Sequence, residues 1–400
     1  MLSPAISHPS TIDLKTLQLT YPEERCQLCV LVYCGNGSTF VDDLSLCETP
    51  FVDLARAMQM KYAPIGGTGV HASLLALGAM TFGEKNVWKL GGLGQDTVNK
   101  MVARAIDAGI NLFDTADVYD EGESEKSLGS ALKPYRDQIL IATKVRGRTG
   151  AGINEIGLSR HHIEIAIRKS LERLGTSWVD LYQFHSWDSH VPLDESLEAM
   201  QDLVERGLVR YPGVSNLTAW QMSTLQARCE ERGYSRYETA QMNYSLLNRD
   251  IEHEILPFMR YSRMTLLVWS PLHGGTLSGK YAKDSKPPAG TRAGNRGLFF
   301  PFFDETTGFG IVEKVKQIAE EQGATPAQIA LSWLLSKNHI VLLGARTMEQ
   351  FEQNLGALDV NLTAGQLENL DRITKPRLQY PNWMIERQSS GRTFPIVEPS

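Results

Sequence analysis

From Leu74 onward, short apolar runs alternate with longer stretches in which apolar residues return at helical spacing. A run too short for a helix and rich in Leu, Ile and Val reads as a strand, and the amphipathic stretch behind it as a helix packed on one side. Candidate strands end near Leu77, Phe113, Thr143, His185, Val214, Met242, Trp269 and Leu343, with helical segments such as Val98 to Ala108 and His162 to Leu174 between them. Repeated strand–helix units imply crossover connections and hence a parallel sheet. The eight candidate strands predict an α/β fold, a single-domain (β/α)8 TIM barrel, whose chemistry sits at the C-terminal strand ends. Punctuation agrees with this reading: Ser159 is placed to cap the helix through Ile163, Ile167 and Leu171, Gly175 to stop it, and Gly109 and Gly207 follow other helical segments. Gly66-Gly67-Thr68-Gly69 precedes the first barrel strand and reads as a hairpin turn. No dinucleotide fingerprint follows a first strand, which disfavours a doubly wound sheet.

Residues 1–59 lack sustained periodicity and mix Ser, Thr, Pro and Cys. The expected organisation is an N-terminal extension of unassigned role over 1–59, the barrel over 60–376 and a tail over 377–400. With 42% hydrophobic and 22% charged residues in 400, the chain has enough apolar material for a substantial core. A net charge of -6 gives no general attraction to phosphate backbones or anionic membranes. No apolar run approaches the ~18 residues of a membrane span. The Cys26 to Cys34 stretch follows Glu23 and Glu24 rather than a basic segment, which argues against a signal peptide. The expectation is a soluble, cytoplasmic protein with neither nucleic acid nor membrane as partner. Four of the five cysteines (Cys26, Cys29, Cys34, Cys47) precede the barrel and only Cys229 lies within it, so no disulfide framework is expected there. Cys26 and Cys29 lack a second pair at zinc-finger spacing, and no metal site is predicted. The sequence does not specify an oligomeric state.

Functional side chains gather just past the candidate strands. Asp114 and Tyr119 follow Ile110 to Phe113, Lys144 follows Ile139 to Thr143, and His185 follows Leu181 to Phe184. No helix or strand requirement explains one Asp, one Tyr, one Lys and one His at one barrel face. An unperturbed phenol has a pKa near ~10, and a close ammonium would lower it. Lys144 can be that ammonium, Asp114 can keep Lys144 charged, and His185 can orient a carbonyl oxygen. A metal-dependent hydrolase or isomerase would need several carboxylate or imidazole ligands there instead. His161 and His162 read as solvated residues at a helix start. Asp117, Asp120, Glu121, Glu123 and Glu125 read as an acidic loop and a helix N-terminus favoured by its dipole.

From Met60 to about Thr374 the chain resembles the aldo-keto reductases. The segments that carry the likeness are Leu77 to Gly83, Gly109 to Tyr119, Gly122 to Glu125 with Leu128-Gly129, Asp180 to His185, Gly213 to Asn216, Trp269 to Leu272 and Leu343 to Arg346. The resemblance implies a catalytic tetrad at Asp114, Tyr119, Lys144 and His185, with Tyr119 as proton donor in the reduction of a small-molecule aldehyde or ketone. It implies that Ser215, Asn216 and Gln241 hold a nicotinamide carboxamide and that Trp269 stacks on the ring. It further implies a pyrophosphate clasp at Ser270, Pro271 and Leu272 with Gly274, Leu277, Gly279 and Lys280. The adenosine phosphate would lie at Gly344, Arg346, Gln350, Gln353 and Asn354, and Gly78, Ala79 and Met80 beside the cofactor. Arg346 suits the 2′-phosphate of NADP. Gln350 replaces a frequent basic residue and Gln353 a frequent Glu, which leaves NAD as the second cofactor. Phe82, Trp88 and Trp187 are candidates for an apolar substrate wall, and Pro287 to Phe309 for a loop that covers the cofactor or forms the pocket rim. Potassium-channel β subunits share the family and a Trp in the Trp269 segment, so a cofactor-binding regulatory subunit is the alternative.

Overall fold

The structure, a computed structural model, describes residues 60–87, 92–281 and 305–389. The expected extension over 1–59, Trp88 and most of the expected rim, 287–304, lie outside the described residues. Eight parallel strands close into a barrel: β3 (Leu75–Gly78), β4 (Leu112–Asp114), β5 (Leu140–Val145), β6 (Val179–Phe184), β7 (Val209–Ser215), β8 (Thr239–Asn243), β9 (Thr265–Trp269) and β10 (Ile340–Leu343), with β10 pairing β3. This is the predicted (β/α)8 architecture. An antiparallel hairpin, β1 (Tyr62–Pro64) and β2 (His71–Ser73), precedes it, turning through Gly66 at φ 55.

Because side chains alternate along a strand, every second residue faces the barrel axis. Ala76, Leu112, Ala142, Leu181, Leu267 and Leu342 form an inner apolar layer. The next residue of the same parity, two positions on, is Gly78, Asp114, Lys144, Gln183, Trp269 or Gly344, so polar side chains enter the interior on β4, β5 and β6 toward the C-terminal strand ends. The opposite parity, including Leu75, Leu77, Phe113, Ile141 and Tyr182, belongs to the larger core beneath the helices.

The surrounding helices are α1 (Gln95–Asp107), α2 (Glu123–Leu132), α3 (Arg160–Leu174), α4 (Leu193–Glu205), α5 (Ala219–Arg232), α6 (Ile255–Ser262), α7 (Glu305–Gln322), α8 (Pro326–Leu335), α9 (Met348–Leu355), α10 (Ala364–Ile373) and α11 (Asn382–Ser389). Ser159 caps α3, its Oγ accepting from the His162 backbone N–H at 3.3 Å, and Gly175 ends it at φ 64. One helix-start expectation is corrected. His161 is exposed, but His162 turns inward among Ile163, Ala166 and Ile167, where burial lowers its pKa. Among the described residues, no helix is long and apolar enough to cross a membrane.

Candidate active site

Asp114 ends β4 facing the barrel axis and is almost fully buried. Its Oδ1 accepts from Lys144 Nζ at 2.6 Å, and its Oδ2 accepts from Gln241 Nε2 at 2.8 Å and from Gln183 Nε2 at 3.1 Å. Lys144, inside β5, spends its remaining donors on the Thr115 carbonyl at 2.8 Å and Tyr119 Oη at 3.3 Å. Burial alone would lower the lysine pKa, but the charge and hydrogen bond of Asp114, together with Tyr119, leave it raised. Lys144 is therefore an ammonium with fixed direction, its Nζ also 4.8 Å from the Tyr119 ring centroid.

Tyr119 stands where the chain reverses from strand to helix. Asp120, Glu121 and Gly122 follow it at φ 48, 56 and 87, a left-handed run that aims the phenol back at the barrel. Asp120 fixes this turn, accepting from the backbone N–H groups of Lys85 at 2.9 Å and Val87 at 3.0 Å. The reading of an acidic, dipole-favoured loop is thus corrected: Asp117, Asp120 and Glu125 are buried. Glu125 accepts from Thr143 Oγ1 at 2.6 Å and Arg173 Nε at 2.7 Å.

His185 directly follows β6, and its ring meets Tyr119 edge-on with centroids 5.7 Å apart. Loss of water, then the positive charges of Lys144 and Arg146, depress its pKa to about 3. A neutral imidazole beside a phenol can donate one hydrogen bond to an oxygen without competing for the phenolic proton.

Asp114, Tyr119 and His185 form one wall of a cavity of about 550 Å³, with Lys144 buried behind them. Of the expected cofactor residues, Gly78, Met80, Ser215, Asn216, Gln241, Trp269, Ser270, Pro271, Leu272, Gly274, Lys280, Gly344, Arg346, Gln350, Gln353 and Asn354 line it. Ser215 Oγ donates to the Gln241 carbonyl at 2.8 Å, Asn216 Nδ2 to the His185 carbonyl at 3.0 Å, and Trp269 Nε1 to Asn216 Oδ1 at 3.0 Å. Gln241 Nε2 is turned to Asp114, so its Oε1 is the atom left for a ligand amide. Past Trp269 the backbone runs through positive φ at Ser270, His273, Gly274 and Gly275, a concave loop of the kind whose N–H groups gather around an anion. A Cβ at Gly344 would meet open space. The Arg346 N–H donates to Gln350 Oε1 at 3.0 Å. The cavity's size, the Gln241 Oε1 left for a ligand amide and the concave loop fit a dinucleotide.

Three expected cofactor residues do not reach the cavity. Ala79 and Leu277 are fully buried in the core, and a Cβ on Gly279 would face Lys316 and Pro326. Phe82 is likewise core, and Trp187 lies edge-on to Trp220 at 5.7 Å beside a separate small crevice. Neither forms the expected substrate wall. Sequence reading missed Gln183, although its parity with inward-facing Leu181 signals it. It also missed Thr81, whose Oγ1 donates to the Ala345 carbonyl at 2.9 Å, and Ala327 and Leu331 on α8, which only tertiary packing brings to the cavity.

A family model described as the aldo/keto reductase family matches residues 74–375. The chain is 31% identical over 343 residues, 80% of its length and 99% of the relative's, to a versiconal hemiacetal acetate reductase of Aspergillus parasiticus. It is 33% identical over 327 residues, 78% of its length and 96% of the relative's, to an uncharacterized oxidoreductase of Bacillus subtilis. An aldo-keto reductase of Fusarium vanettenii is 29% identical over 366 residues, covering 85% of this chain and 98% of that one. With a barrel closed by eight strands and a family match that runs from the first of them past the last, this chain belongs to the aldo/keto reductase family.

Proposed function

We propose that the protein is a cytoplasmic, NADPH-dependent reductase of aldehydes or ketones, reversible in principle, with Tyr119 as the proton donor. The observation that carries this reading is Lys144 Nζ held between Asp114 Oδ1 and Tyr119 Oη, two residues that line a dinucleotide-sized cavity. When bound, the nicotinamide cofactor supplies hydride to the carbonyl carbon. Tyr119 gives its phenolic proton to the carbonyl oxygen, and the Lys144 ammonium stabilises the phenolate left behind. Asp114 keeps that ammonium charged and pointed. Neutral His185 donates a hydrogen bond that holds the carbonyl oxygen beside Tyr119. Trp269, tied to Asn216, offers a flat face on which the nicotinamide ring stacks, fixing which face is presented.

Substituting Tyr119→Phe removes the proton donor and leaves the phosphate and stacking contacts in place. We expect cofactor affinity within about threefold of wild type and turnover reduced by about a hundredfold or more. The measurement is NADPH and NADH oxidation with a panel of aldehydes, ketones and quinones, alongside cofactor titration by tryptophan fluorescence. Near-normal turnover in the variant would overturn the assignment. Cofactor binding without turnover in wild type across the panel would instead favour a regulatory subunit. Arg346→Ala tests the cofactor choice. If Arg346 meets the 2′-phosphate, NADPH affinity falls by about tenfold or more while NADH affinity hardly changes. Equal loss for both counts against that role.

A further inference from the structure

Arg146 sits one residue beyond β5. The Val145 carbonyl before it accepts from the His185 N–H at 2.9 Å. Gly147 after it lies so close to Val118 that a Cβ there would overlap the valine methyl. His185 and Val118 both line the cavity, so the chain at Arg146 is held between two wall residues on the side of the proposed chemistry.

Two features of Arg146 have no structural explanation. Its backbone φ is 139°, a region open essentially to glycine, and such strain persists where surrounding structure or function enforces it. Its side chain also makes no hydrogen bond and no ion pair with any described residue, although Nε is buried. The neighbouring cations behave differently. Lys144 is paired with Asp114 at 2.6 Å, Arg173 with Glu125 at 2.7 Å and Arg136 with Asp180 at 2.9 Å. Arg148 spends its guanidinium on the carbonyls of Gly150 and Gly152. A buried donor without a partner costs stability, and a positive charge near a half-enclosed site favours an anion there. Arg146 directly follows Val145, whose carbonyl meets the His185 N–H, so its charge bears on the side of the cavity where the carbonyl oxygen would sit.

We propose that Arg146 recognises a carboxylate on the substrate, so that the preferred substrates are aldehydes or ketones bearing a carboxylate near the carbonyl group. The planar guanidinium suits a carboxylate through paired hydrogen bonds. Arg146 is then a specificity-determining residue, and the fold tolerates its strained backbone because this position presents the charge. The specificity claim rests on the reductase reading. The anion site itself does not, and the two can be tested apart.

The experiment compares wild type with Arg146→Gln and Arg146→Gly on the carboxybenzaldehyde isomers and on the matching neutral carbamoylbenzaldehydes. For the best carboxylate isomer, kcat/KM is expected to fall about tenfold to a hundredfold in Arg146→Gln, while the neutral partner changes by less than about threefold. Equal loss on both compounds would overturn the proposal. Calorimetric titration with benzoate and benzamide, which cannot be reduced, gives a readout independent of turnover. Benzoate should bind more tightly than benzamide in wild type and lose that advantage in Arg146→Gln. If no aldehyde is reduced and benzoate binding still depends on Arg146, the reductase reading fails and the anion site stands. If benzoate shows no such dependence, the anion site fails. Arg146→Gly separates function from folding: relief of the positive φ should leave Tm equal or raised while the carboxylate preference disappears. A fall in Tm with equal loss on charged and neutral aldehydes would mark Arg146 as structural and sink the proposal.

Discussion

Asp117, three residues past Asp114, is buried between the barrel and its helices, and neither of its carboxylate oxygens has a side-chain partner among the described residues. Burial, reinforced by the nearby negative charge of Glu125, raises its pKa well above the usual carboxylate range. The folded protein therefore holds a proton that the unfolded chain releases once pH passes about 4. Stability linked to Asp117 is fully present below that unfolded value and is lost as pH rises through the raised folded value. Between the two values folding costs the protonation of this carboxyl, and above the higher one the protein carries a buried carboxylate without a side-chain partner among the described residues. Asp117→Asn removes the titration and keeps the shape. We expect the substitution to stabilise the protein by about 1 to 2 kcal/mol near pH 8, with the gain shrinking toward about pH 4. Thermal melts across that range measure it, and a gain that grows on acidification would contradict the neutral-carboxyl reading. Asp117 also marks a limit of sequence reading. In Asp117-Val118-Tyr119-Asp120-Glu121 the acidic side chains look solvated, because nothing local says that the loop folds under α2 and α3.

Elements were legible where a period governed them. Strands expected to end near Leu77, Phe113, Val214 and Met242 end one residue later, at Gly78, Asp114, Ser215 and Asn243, and that near Trp269 ends there. The inward placement of Asp114 and Lys144 was legible for the same reason, since polar residues at the inward parity of an apolar run have only the barrel axis to face, whereas Tyr119 reaches it from a turn that has no such period. Phe82 and Trp187 were misjudged because an aromatic beside a strand end carries no parity of its own, and tertiary packing turned both away from the cavity. Gly129 shows what sequence hints at and structure explains. It lies on α2 where that helix crosses α3, and a Cβ there would overlap the Leu174 carbonyl and Cα. Backbone cannot yield as a flexible side chain does. Gly129→Ala should therefore destabilise the protein by about 1 to 3 kcal/mol, read by denaturant unfolding. Because α2 begins just after the turn that aims Tyr119, a shifted helix would also lengthen the 3.3 Å contact to Lys144, lowering kcat more than cofactor affinity. Unchanged stability would mean that the two helices part without cost.

At the scale of the whole molecule, the two ends of the barrel do different work. The C-terminal end carries the cavity with Asp114, Tyr119 and His185, and the N-terminal end is closed by the β1–β2 hairpin. Ile65 from its turn is buried in the inner apolar layer with Leu74, Leu112, Leu181 and Ile340. Polar ties fix the hairpin to several strands. The Gly66 N–H donates to Thr265 Oγ1 at 2.8 Å, the Gly67 N–H to Glu238 Oε2 at 2.8 Å, and the Ser73 N–H to Asn111 Oδ1 at 2.8 Å. Gly66 is required there, since a Cβ would overlap Glu238. A plug pinned on β9 and at the starts of β8 and β4 and packed on the axis should act on stability, and Asp114 and Lys144 lie a layer of side chains away. Ile65→Ala removes buried methylenes and leaves a void that the closed barrel cannot collapse around, a cost of about 2 to 4 kcal/mol. Below the lowered Tm, kcat/KM for any carbonyl substrate should match wild type within about twofold, because bottom-face residues of such barrels serve stability and top-face residues serve chemistry. Denaturant unfolding and steady-state kinetics on the same preparation decide it. A large fall in kcat with the protein still folded would show that the inner layer transmits strain from Ile65 to Asp114 and Lys144, and that the two ends are not independent.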